Sequence, residues 1–247
     1  MFLNQLSDQG ARTLFLELAA MVAMIEGNKQ SMAKQVADNM KGRKDYISPY
    51  ATFIDDLELI RLEEYTKELS YHVDESDDFH DFLYDILSKK GRYYNYLGRE
   101  EETLKSLFNK GKEKILDEYK NNSNIKQDIL NKLVGEGIDL LSLDKNVMEN
   151  LILELAEIKM QVFLQVLEYL VKERACISRL TEKDKKIIIF ELIGMGLSNN
   201  NLDEKEFLLI QEIAKLFDID AEYLEEFKDL VKVIYKVQKE ASDLINE

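Results

Sequence analysis

Apolar residues recur along most of this chain at spacings of three and four, the period of one face of an α-helix. Leu14, Leu18, Met21, Val22 and Ile25 predict a first helix from about Asp8 to Ile25, with Ser7 as its cap and Gly27-Asn28 as its stop. A short helix is expected near residues 31–40. After Ser48-Pro49, the positions Phe53, Leu57, Ile60, Leu62 and Tyr65 predict another that runs to about Ser70. A helix through Phe82, Leu83, Ile86 and Leu87 follows, opened by six acids between Asp74 and Asp85 that favour its positive N-terminal dipole. From Arg99 to Tyr119 only a thin stripe is apolar: Leu104, Leu107, Phe108, Ile115 and Tyr119. A further helix runs from the Asn121-Asn122-Ser123 break to about Leu141.

The segment 146–172 differs. Leu151, Ile152, Leu155, Ile158, Val162, Phe163, Val166, Leu167 and Leu170 form one broad face, while Met148, Leu153, Met160, Leu164 and Val171 populate other sides. A helix apolar around so much of its girth belongs among other helices, so it is the expected central helix. Downstream, Thr181 caps a helix over 182–197. Asp203 and Glu206 form a capping box before Phe207, Ile210, Ile213, Ala214 and Phe217. Asp220 opens a long last helix striped with Leu224, Phe227, Val231, Ile234, Val237, Ala241 and Leu244. One proline and ten glycines in 247 residues leave little material for tight hairpin turns. The predicted fold class is all-α, a multi-helix bundle.

Composition changes the picture mainly by exclusion. A net charge of −15 repels phosphate backbones, so nucleic acid is not an expected partner; a protein partner is, and a second copy of the chain is among those admitted. The most apolar stretch, Leu14–Ile25, is too short to span a bilayer and contains Glu17, so no transmembrane segment is predicted. The opening Met1–Leu6 lacks a cationic segment, and the lone Cys176 fits a reducing compartment. A cytoplasmic protein is expected.

An internal similarity then stands out. Thr13–Ala23 reads like Ile187–Leu197: each holds an isolated glutamate, Glu17 or Glu191, between apolar residues, and each leads to a turn-forming cluster, Glu26-Gly27-Asn28 or Ser198-Asn199-Asn200-Asn201. In these letters the chain resembles the TerB-like family, named for tellurite resistance. The resemblance covers about 1–70 and 175–247. It implies two related helical halves, with 71–174 as a helical insertion contributing to one compact domain. It further implies a helical interaction or stress-response module without catalytic activity. The alternative is a divalent-metal-binding or metal-sensing protein, since acidic turns in that family are associated with metal. The positions that match are Glu26, Asn199, Asp203 and Glu206. Asparagine stands where the second turn would have aspartate, and Ala33 where the first half would have its glutamate. Calcium needs six to eight oxygens, so the set is incomplete; Asp203 and Glu206 are equally explained as a capping box. No cofactor is otherwise implied.

Other clusters point less far. His72 and His80 lie among Asp74, Asp77 and Asp81 without the paired spacing of a zinc site. Arg92, Tyr93, Tyr94, Tyr96 and Arg99 mix rings with cations, but in an unfavourable acidic field. Cys176 has no histidine near it in sequence to act as a base and is expected to be a packed small residue. Glu17 and Glu191 sit on no polar face. They predict either structural acids holding hydrogen bonds or ion pairs, or a paired site.

Overall fold

The computed structural model describes residues 2–25, 56–69, 102, 104–122, 145–199 and 201–246. They form seven α-helices: α1 (Gln9–Ile25), α2 (Asp56–Glu68), α3 (Leu104–Asn122), α4 (Lys145–Glu173), α5 (Glu182–Gly196), α6 (Glu204–Leu216) and α7 (Ala221–Asn246). Short 3-10 turns at Leu3–Gln5 and Ala175–Arg179 complete them, and there is no strand among the described residues. The fold is all-α. His72, His80 and the Arg92–Arg99 cluster lie outside the described residues, as do Glu26 and the helices expected at 31–40, 82–87 and 123–141.

α1 is enclosed on nearly every side. Fourteen of its 17 residues are buried, from Ala11 through Ile25, because α2, α4, α5 and α6 all pack on it. Each large side chain there, such as Phe15 or Leu16, contributes about 1.5–3 kcal/mol by leaving water. α4 lies against α3, with contacts onward to α1 and α6. Its described half buries Ile158, Met160, Val162, Phe163, Val166, Leu167 and Leu170, and Phe163 meets Phe108 of α3 edge-on at 4.9 Å. Gly111 permits that approach, since a Cβ there would sit 3.0 Å from Val166 Cγ2.

The helix starts explain the ordering of the chain. Asp8, not Ser7, caps α1: Asp8 Oδ1 accepts the Ala11 N–H at 2.8 Å. Ser7 is drawn off by Asp184, which accepts both its N–H and its hydroxyl at 2.8 Å. A long-range anion therefore outcompetes the local capping role expected of Ser7. Asp184 also completes a capping box with Thr181 at the start of α5, and Asp203 with Glu206 does the same for α6. α6 ends in a Schellman motif: Ile219 N–H donates to Ala214 O at 2.9 Å and Asp218 N–H to Lys215 O at 3.1 Å, with Asp218 at φ 57°.

α7 departs most from its expected packing. It lies on α5 and α6, yet only Leu224 and Val231 of its predicted stripe are buried. Lys186 meets Tyr223, Phe190 meets Phe227, and Gly194 O accepts from Tyr235 Oη, so α5 and α7 run parallel and in step. α5 stops at Gly196. Beyond Tyr235, α7 continues past it for Lys236–Asn246, about 16 Å at 1.5 Å per residue.

Candidate functional site

Glu17 and Glu191 do become buried, but each has its own partner. Glu17 is fully buried at the middle of α1, and Arg174, 2% exposed, reaches it from the end of α4. Arg174 Nε donates to Oε2 at 2.8 Å and Nη2 to Oε1 at 2.6 Å, a two-pronged fork that leaves the carboxylate held on both oxygens. Glu191 Oε1 accepts the Phe2 N–H at 2.5 Å, and the Glu191 carbonyl accepts from Tyr65 Oη at 2.8 Å. Burial pushes the Glu191 carboxyl above its ordinary range, against the Phe2 hydrogen bond and the Arg61 guanidinium. Thus one acid ties α1 to α4, while the other ties the N-terminal segment to α5. These are structural roles.

Asp184 is another buried acid, 1% exposed, in a polar stretch of sequence, Glu182–Lys186, that carries no local sign of burial. Burial works to raise its pKa, but hydrogen bonds from Thr181 and Ser7 more than offset this and hold it below the usual aspartate range.

Three of the residues matched to a metal turn lie at the junction of α5 and α6, Glu206 in the first turn of α6. Asn199 Oδ1 accepts the Asn201 N–H at 2.9 Å. Asp203 Oδ1 accepts the Lys205 N–H at 2.8 Å, and Glu206 Oε2 accepts the Asp203 N–H at 2.9 Å. Glu206 is fully buried beneath Gly196, where a Cβ would come within 3.3 Å of Oε2 and 2.4 Å of Leu202 Cδ1. Asp203 Oδ1 and Glu206 Oε2 are thus engaged by the backbone of the helix start. Among the described residues, no three His, Cys, Asp or Glu side chains gather as a metal set. Cys176 is buried against Gly10, whose added Cβ would meet Cys176 Cβ at 2.8 Å.

A groove between α3 and α4 is lined by Lys110, Glu113, Lys114, Asp117, Tyr169 and Lys172. Its cations face neighbours of their own: Lys110 pairs with Glu102, Lys114 donates to Gln165, and Lys172 pairs with Glu168 at 2.6 Å. It offers no concentrated charge to a ligand.

Exposed apolar side chains gather instead along α7, with a few others on α2 and α6. Leu230 is 53% exposed, Val233 59%, Val237 56% and Leu244 72%, with Tyr223 and Ile234 beside them. Lys228 leans over Phe207 at 4.6 Å on the opposite flank, where α7 meets α6. No helix among the described residues is long and apolar enough to cross a membrane. No family model, curated protein or solved structure matches the chain, so no relative supplies a function.

Proposed function

We propose that this chain is a non-catalytic helical interaction module, of the stress-response kind its TerB-like resemblance implies, and that α7 presents its contact surface. One observation carries the reading. Apolar side chains of α7 from Tyr223 through Leu230 and Val237 to Leu244 stand in water along more than five turns, whereas the buried acids Glu17, Asp184 and Glu191 hold helices and the N-terminal segment in place. A surface helix with one apolar face beyond its own core is the form that helix-recognising partners read. The metal-sensing alternative ranks second, because Asp203 and Glu206 serve the α6 cap.

The test is capture by the immobilised full chain from its native host, beside a Leu230→Asp, Val237→Asp variant. Both positions are exposed, so the variant should melt like the parent by circular dichroism yet lose what the parent retains. Equal capture by a folded variant would remove α7 from the account.

A further inference from the structure

We infer that α7 binds the α7 of a second copy of this chain, as a parallel two-stranded coiled coil. This rests on the preceding proposal that α7 is a contact surface, and it names the occupant.

The spacing comes first. Tyr223, Leu230, Val237 and Leu244 recur every seven residues, and Phe227, Ile234 and Ala241 recur every seven between them. These are the a and d positions of three heptads, spanning about 31 Å of helix. An unpartnered helix at 3.6 residues per turn drifts by about 20° per heptad, so helix-to-globule packing does not keep a strict seven-residue register. A second supercoiled helix does. The start of the seam is shared with the body, where Tyr223 meets Lys186 and Phe227 meets Phe190. Leu224 and Val231, at the e positions, are buried against the body, whereas Leu230, Val237 and Leu244 are more than half exposed.

Charge then selects a second copy and its direction. The e edge of the seam is flanked by α5, whose Lys186 Nζ lies 4.1 Å above the Tyr223 ring; Lys183 and Phe190 share that face of α5 at helical spacing. The g edge carries Glu226 and Glu240. In a parallel pair the e edge of one helix lies beside the g edge of its mate, so Lys183 and Lys186 of each copy lie on the side of Glu226 of the other, while Glu240 lies beyond the end of α5. An antiparallel pair would set e against e and g against g, taking Lys186 to the opposite end of the seam from its mate's Glu226 and placing Glu226 beside Glu240. Near the start of α7 the two edges are complementary, and a copy in parallel register sets them together.

Sterically, the stretch of α7 beyond α5 makes this attainable. α7 runs past the end of α5 from Lys236 onward, and Leu244 sits on that stretch. The bodies of the two copies would flank the seam on opposite sides, each against its own e edge.

The experiment is sedimentation equilibrium of the purified full chain, with no other protein present. The expected mass is twice 28.8 kDa, falling to 28.8 kDa in Leu230→Asp, Val237→Asp with helical signal and melting temperature unchanged. Leu244→Cys reports direction: parallel mates should oxidise to an intermolecular disulfide, while antiparallel mates would hold the two thiols about 25 Å apart. The parent, whose Cys176 is buried, should not cross-link. A monomeric parent at about 100 μM overturns the inference, since a specific self-association stronger than that would register. So does a dimer that survives the double substitution, or one that leaves Leu244→Cys reduced. A monomeric parent whose α7 variant still loses host capture would overturn self-pairing alone and leave the interaction reading standing.

Discussion

Replacing Arg174 by methionine strands the Glu17 carboxylate in the centre of the bundle. The side chains of the pair are 1% and 0% exposed, so neither charge recovers solvent when its partner is removed. Breaking such a buried pair costs about 3–5 kcal/mol, most of it the penalty of the orphaned charge. The exposed Lys172–Glu168 pair, at a similar 2.6 Å, is worth only about 0–1 kcal/mol because water screens it. For a chain of this length each kcal/mol moves the melting temperature by about 2–4 °C, so Arg174→Met should lower it by roughly 10 °C. Lys172→Met should hardly move it. Glu17→Leu combined with Arg174→Met removes both charges from an apolar site, and should return to within about 1–2 kcal/mol of the parent. Urea denaturation of the four corners of this cycle, followed by circular dichroism, gives the coupling directly. An Arg174→Met cost below about 1 kcal/mol, or a double variant that loses the sum of its singles, would refute the buried fork as the tie between α1 and α4.

Two further buried acids, Glu191 and Asp184, should respond oppositely to pH. Glu191 has a raised folded pKa, so its contribution is fully present in acid and is lost as pH rises through that value; Glu191→Gln should therefore gain on the parent from about pH 4 upward in melting scans, starting at the ordinary glutamate pKa. Asp184 has a lowered one, so its contribution holds at neutral pH and is lost as pH falls through that value; Asp184→Asn should be the less stable at neutral pH and converge with the parent in acid. Asp218 occupies left-handed backbone at φ 57°, and Asp218→Gly should stabilise by about 0.5–1 kcal/mol in urea melts by removing the Cβ conflict. Calcium or zinc at tens of micromolar should leave the melting temperature unmoved, and a rise of several degrees abolished by Glu26→Ala would promote the metal-sensing alternative.

Helix existence was legible because it rests on local signals. Thr181, Asp203 and Glu206 carry their caps within three residues, and the structure places them there. Ser7 misled because its partner, Asp184, lies 177 residues away. Arg174 was invisible for the same reason: within Lys172-Glu173-Arg174 it reads as a solvated helix end, and only tertiary packing turns it towards Glu17. The burial of Glu17 and Glu191 could be read from their apolar neighbours, but their partners could not. On α7 the periodicity was plain. Which part of that stripe meets the body depends on where α5 ends, and no pattern within α7 encodes that.

Amide hydrogen exchange along α7 tests the working surface most directly. An isolated projecting helix opens easily, whereas one covered by a mate is protected. As the purified chain is concentrated from about 1 to about 100 μM, protection of Lys236–Leu244 should rise by mass action while that of α1 stays constant. Equally fast exchange of Lys236–Leu244 across that range would contradict self-pairing through α7.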